Sequence, residues 1–141
     1  LHKAKPDAGR KPKVYTGSSF IDGLCKDGRT SDAIELFLEK TRAVQNGGEM
    51  SQVNHVMYTS LIQAQCKDGQ IFKASRFFSD MQYYNLKPDV ITYAVIIQGH
   101  FRAKHMIDVM MLHEDMLKMG MMQNAIIYQI LARGYREIGD L

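Results

Sequence analysis

The chain has 141 residues, 45% of them hydrophobic and 23% charged, with a formal net charge of +3 at pH 7; this excludes fibrous and intrinsically disordered classes and suits one domain. No run of roughly 18 apolar residues occurs, so no membrane-spanning helix is expected. Residues 1–13 (LHKAKPDAGRKPK) carry five basic side chains against one acidic, and the remainder 13 against 14, so any polyanion footprint on the body must come from arrangement rather than total charge.

Residues 1–13 read as a basic tail or the end of a preceding repeat. From 14 onward the chain repeats itself. Shifted by 41, the stretches 19–37 and 60–78 match at Ser19/Ser60, Ile21/Ile62, Cys25/Cys66, Lys26/Lys67, Asp27/Asp68, Gly28/Gly69, Ala33/Ala74 and Phe37/Phe78. Tyr58, Tyr93 and Tyr128 then open YTSLIQAQCKDG, YAVIIQGHFRAK and YQILARGYREIG at a spacing of 35, so they occupy equivalent positions. The units are 14–54, 55–89, 90–124 and a truncated 125–141. The first is six residues longer, and its excess falls around Asn46-Gly47-Gly48, a strong turn signal.

Each unit reads as two helices. In unit one Asp27-Gly28 closes the first helix, Thr30 is placed to cap the second, and Ala33, Ile34, Leu36 and Phe37 form an apolar stripe. In unit two Val56, Leu61, Ile62 and Cys66 recur at helical spacing before Asp68-Gly69. Its second helix places Ala74, Phe77, Phe78 and Met81 on one face and is stopped by Pro88. Unit three has Ala103-Lys104-His105 where the others have a glycine turn. Its second helix is methionine-rich (Met106, Met110, Met111, Met116, Met119), read as core filling, with a plastic interaction face as the alternative. Cys25 and Cys66 sit at one repeat position with no metal spacing and read as core thiols, which implies a reducing compartment. One such hairpin cannot bury its own apolar face. The expected fold is therefore all-α, an α-solenoid (right-handed superhelix) of stacked helix-turn-helix repeats. A chain that opens on Leu1 and ends on a lone first helix reads as a slice of a longer array, with ends prone to self-association.

SSFIDGLCKDGRTSDAIELF and NLKPDVITY resemble the pentatricopeptide repeat (PPR) family of the pure 35-residue type, over about 14–141. The tetratricopeptide repeat has a period of about 34 and a Trp signature, and this chain has no Trp. The resemblance implies binding of single-stranded RNA at about one base per repeat. Carried over by position, it implies base-reading pairs Ser18 with Asn54, Thr59 with Asp89 and Ala94 with Asn124, and wedges between bases at Tyr15, Val56 and Ile91. Gln129 opens a fourth site, and Lys13 would close a preceding unit. The family's regularity pairs a hydroxyl plus Asp with guanine and a hydroxyl plus Asn with adenine, so the expected triplet is A-G-A. Asp89 has a second reading, as the cap of the following helix. Lys26, Lys67 and Arg102 recur near the ends of first helices, where they could meet phosphates or simply complement the helix dipole; Glu137 breaks the series.

No P-loop, GxSxG, HExxH or recurrent carboxylate pair occurs, and the five histidines form no i, i+4 pair, so no enzyme activity, cofactor or metal ligation is expected. The resemblance implies an organellar protein, in mitochondrion or chloroplast, acting on RNA processing, stability or translation by occupancy. The alternative is a helical-repeat scaffold that binds other proteins of an organellar complex.

Overall fold

A computed structural model describes residues 17–45 and 55–139, with side chains over 19–42 and 55–139. The tail 1–13, Tyr15, Asn54, the Asn46-Gly47-Gly48 connection and the Ser18 side chain lie outside the described residues. Among the described residues there are seven α-helices and no strand: α1 (Gly17–Lys26), α2 (Thr30–Gln45), α3 (His55–Lys67), α4 (Ile71–Tyr83), α5 (Val90–Arg102), α6 (Met106–Lys118) and α7 (Ala125–Gly139). A 3₁₀ turn at Met121–Gln123 precedes α7. Helices α3, α5 and α7 begin 35 residues apart, as do α4 and α6, whereas α2 and α4 begin 41 apart.

The odd-numbered helices lie side by side, and the even-numbered ones pack on them: α2 on α1 and α3, α4 on α3 and α5, α6 on α5. This is the α-solenoid. Burial follows position in the stack. Helices α3 and α5, flanked on both sides, bury eight and seven residues, while α7 buries only Ile127, Leu131 and Gly134, a single stripe at i, i+4 and i+7.

Two contacts propagate the stack. Phe37 of α2 meets Tyr58 of α3 edge-on at 5.0 Å, and Phe78 of α4 meets Tyr93 of α5 at 5.3 Å; such pairs contribute about 0.5–1.5 kcal/mol beyond their area. The next equivalent of Phe78 is His113, which instead hydrogen-bonds the Tyr135 hydroxyl at 2.9 Å. Tyr128, expected to stack like Tyr58 and Tyr93, is accordingly 64% exposed while those two are core. The second contact is a close approach. A Cβ on Gly99 would lie 2.6 Å from Cys66 Sγ, and one on Gly134 would overlap the Phe101 ring, so these glycines let α5 and α7 seat against the preceding hairpin.

The turns inside the hairpins are built alike. Gly28, Gly69 and Lys104 have φ of 78°, 75° and 62°. In each turn the following amide reaches back five residues: Arg29 N–H to Leu24 O at 2.8 Å, Gln70 to Gln65 at 2.8 Å and His105 to His100 at 2.9 Å. Lys104 thus adopts the glycine conformation at some steric cost. Three local expectations are corrected. Ala33 N–H bonds Arg29 O, so Thr30 lies inside the first turn of α2 rather than capping it. Helix α4 ends ahead of Pro88, at a reversal where Asn85 takes φ 63° and Leu86 N–H bonds Met81 O. Of the α6 methionines only Met116 is core; Met110, Met111 and Met119 are exposed, because no described helix lies against that face.

Both cysteines are free; Cys66 is buried and Cys25 half-buried. Burial pushes each thiol up to about 11, with Asp22 and Asp68 adding to the effect at Cys25, so neither is a thiolate at neutral pH.

Candidate nucleic-acid interface

Asp89 is the N-cap of α5. Its Oδ1 accepts from the Thr92 amide and from the Thr92 hydroxyl, both at 2.9 Å. The Thr92 hydroxyl also lies 3.1 Å from Thr59 Oγ1 and 3.2 Å from His55 Nε2, and His55 Nε2 is 3.4 Å from Asp89 Oδ2. One fully buried hydroxyl therefore ties Thr59 of one hairpin to Asp89 at the threshold of the next. Partial burial would raise the Asp89 carboxyl, but the two bonds from Thr92 and the nearby His55 outweigh it and hold Asp89 below the ordinary aspartate range.

Proton counting fixes what this cluster presents. Thr92 has one hydroxyl proton, given to Asp89 Oδ1. Thr59 must then donate its own proton to Thr92, leaving acceptor lone pairs outward. Asp89 Oδ2 is a second acceptor, on a side chain that is 52% exposed. Thr92 and His55 were missed by sequence reasoning. The only available signal was their place, Thr92 as the third residue of α5 and His55 as the first of α3, beside the proposed pair.

The other pairs differ. Asn124 caps α7, its Oδ1 accepting from Ile126 N–H at 2.9 Å and Ile127 N–H at 3.2 Å, which leaves its amide NH₂ outward. Its proposed partner Ala94 is buried and has no polar side-chain atom, and buried Ile127 stands where Thr92 bridges the preceding pair. The Ser18–Asn54 pair falls outside the described side chains. Val56 (51% exposed) and Ile91 (63%) stand on the surface one residue into α3 and α5, and Ile126 (60%) does the same on α7, a member the sequence reading omitted.

The cation series is not uniform. Lys26 is held by Asp22 at 2.8 Å, Arg102 donates to Cys66 O at 3.4 Å, and Lys67 is exposed. The Lys26 hydrogen bond also lowers the Asp22 carboxyl, against burial, with help from the Ser60 hydroxyl at 2.9 Å. Arg102 edges a groove of about 370 Å³ between α5 and α7, together with Lys104 and Arg133. The α5–α6 turn brings His100, His105 and Asp108 together, with potential ligand atoms within 4.8 Å of one another.

The sequence model of the PPR repeat family matches residues 53–102 and 88–137, and that of the PPR repeat matches 8–39. The chain belongs to the pentatricopeptide repeat family. A chloroplastic PPR-containing protein of Arabidopsis thaliana is 30% identical over 132 residues, 93% of this chain and 24% of that protein. A mitochondrial one from the same plant is 32% identical over 90 residues, 64% of this chain and 16% of that protein. The chain spans a quarter or less of the curated relatives it matches. The maize PPR10 crystal structure superposes with a TM-score of 0.70 at 20% identity, over 94% of this chain and 18% of that one. PPR10 in complex with an 18-nt psaJ RNA element gives 0.67 at 24% identity, over 90% and 18%. These solved PPR structures share the fold.

Proposed function

We propose that this PPR segment binds single-stranded RNA along its odd-numbered helices, one base to each hairpin, within an organellar protein that acts on its transcript by occupancy. The observation that carries the reading is the Thr59–Thr92–Asp89 cluster. Its outward groups are acceptors, and guanine's Watson–Crick edge offers a ring N–H and an amino group to them. Val56 and Ile91, exposed on either side of that site in the chain, are apolar surfaces on which bases can rest. Ser18 with Asn54 is assigned to adenine, and Ala94 with Asn124 leans to adenine through the Asn124 amide alone. Lys67 is the best placed of the three cations for a phosphate; Lys26 and Arg102 would first have to leave Asp22 and the Cys66 carbonyl. The solved complex of PPR10 with an RNA element and the chloroplastic and mitochondrial names of relatives support the same reading.

The test is a gel shift against single-stranded RNAs that vary one base at a time, repeated over a salt series. Binding that weakens with salt and prefers G at the central position is expected. Binding that is neither salt-sensitive nor base-selective would defeat the proposal and favour a protein-binding scaffold.

A further inference from the structure

His100 ends the buried face of α5, His105 is the N-cap of α6 without a side-chain capping bond, and Asp108 lies in the first turn of α6. The left-handed turn at Lys104 folds the two imidazoles onto each other, with Nδ1 facing Nδ1 at 3.3 Å. Two nitrogens bound to one zinc ion at about 2.0–2.1 Å, at a tetrahedral angle, are separated by about 3.3–3.4 Å. The pair already has the ligand–ligand spacing of such a site. The carboxylate of exposed Asp108 is within 4.8 Å of both and can close by side-chain rotation.

The geometry points to a divalent transition-metal site of the zinc class, formed by His100 Nδ1, His105 Nδ1 and an Asp108 carboxylate oxygen, with water as the fourth ligand. The surroundings fit this assignment. Ser75 Oγ lies 3.3 Å from His100 Nε2, so an Nε2–H bond to Ser75 leaves Nδ1 with its lone pair toward the metal. The Phe72 ring packs 5.4 Å from the His105 imidazole and backs it.

The repeat supplies an internal control. Hairpins of the same backbone carry Gln65, Gln70 and Lys73, or Leu24, Arg29 and Asp32, at these three places. The triad is therefore not demanded by the hairpin. It occurs at the turn where Lys104, not glycine, occupies the left-handed conformation. A bound ion would clip the end of α5 to the start of α6 across that strained turn.

Co(II) titration of the 141-residue chain should give the visible d–d bands of a tetrahedral ion, saturating at about one equivalent and bleached by Zn(II). His105→Gln and Asp108→Asn should each weaken binding at least about tenfold, and Ser75→Ala, which loses only the outer bond, by about tenfold. His113→Gln, on the far side of α6, should bind as the parent does. Circular dichroism establishes that each variant is folded, and exposed Asp108 decides the matter should the His105 variant unfold. Absence of the bands, or bands of equal affinity in the Asp108 variant, would overturn the assignment.

Discussion

Replacing Asp89 separates capping from base reading. Its Oδ1 takes two hydrogen bonds from Thr92, each 2.9 Å. Asparagine keeps an oxygen there and is an equally good N-cap, so Asp89→Asn should change stability by less than about 0.5 kcal/mol. Alanine removes both bonds and should cost about 1–2 kcal/mol. The Thr92 hydroxyl retains Thr59 at 3.1 Å and His55 at 3.2 Å, so the group left without its acceptor is the Thr92 amide, the loss that the capping figure already describes. What asparagine changes is the outer atom, where the Oδ2 acceptor becomes an NH₂ donor. The central-base preference should move from G toward A by about 1–3 kcal/mol, a factor of roughly 5–150 in relative Kd. The assay is competitive RNA binding at fixed salt, by an array carrying these hairpins, alongside urea unfolding of each variant. Acid supplies a second check. The folded Asp89 carboxyl lies below its unfolded value, so its capping contribution is complete above the ordinary aspartate range and lost as pH falls through the lowered value. The alanine variant should lack that part of the acid dependence. An unchanged base preference in Asp89→Asn, with the expected loss in Asp89→Ala, would refute base reading and leave Asp89 a cap.

Gly134→Ala places a methyl group into the Phe101 ring, which is itself held edge-on by Tyr135 at 5.4 Å; urea unfolding should show a loss of about 1–3 kcal/mol, and a neutral result would mean that α7 moves freely on α5. Cys25 and Cys66 ionise near 11 in the folded chain against 9.0 for the free thiol, so their stabilising contribution is present below pH 9 and lost between pH 9 and about 11. The unfolding midpoint should fall across that window, less so in Cys66→Ala, and an identical alkaline slope in that variant would contradict the burial argument.

The 35-residue period, the helix–turn–helix alternation and the stacked architecture were legible in the sequence, because a repeat must bury the same positions each time it packs on its neighbour. Phe37 and Phe78, Tyr58 and Tyr93, and Cys25 and Cys66 mark those positions. So does the turn at Asp27-Gly28 and Asp68-Gly69, since only a left-handed residue closes that helix cheaply. What the period predicts badly is any position whose neighbour changes. Tyr128 continues the tyrosine series but lies exposed, because its partner position holds His113, which turns to Tyr135 instead. Met110, Met111 and Met119 have core chemistry but stand exposed, with no described helix packed over them. Contacts that cross between units were decided only by tertiary structure. Thr92 joins Thr59 to Asp89 from 33 residues away, and His55 meets Thr92 across the same unit boundary. His100 and His105, five residues apart, escape any search of a straight helix at i, i+4; the reversal at Lys104 makes them neighbours. Periodicity records what every hairpin needs in order to stack, and the chemistry particular to this chain lies where one hairpin departs from the others.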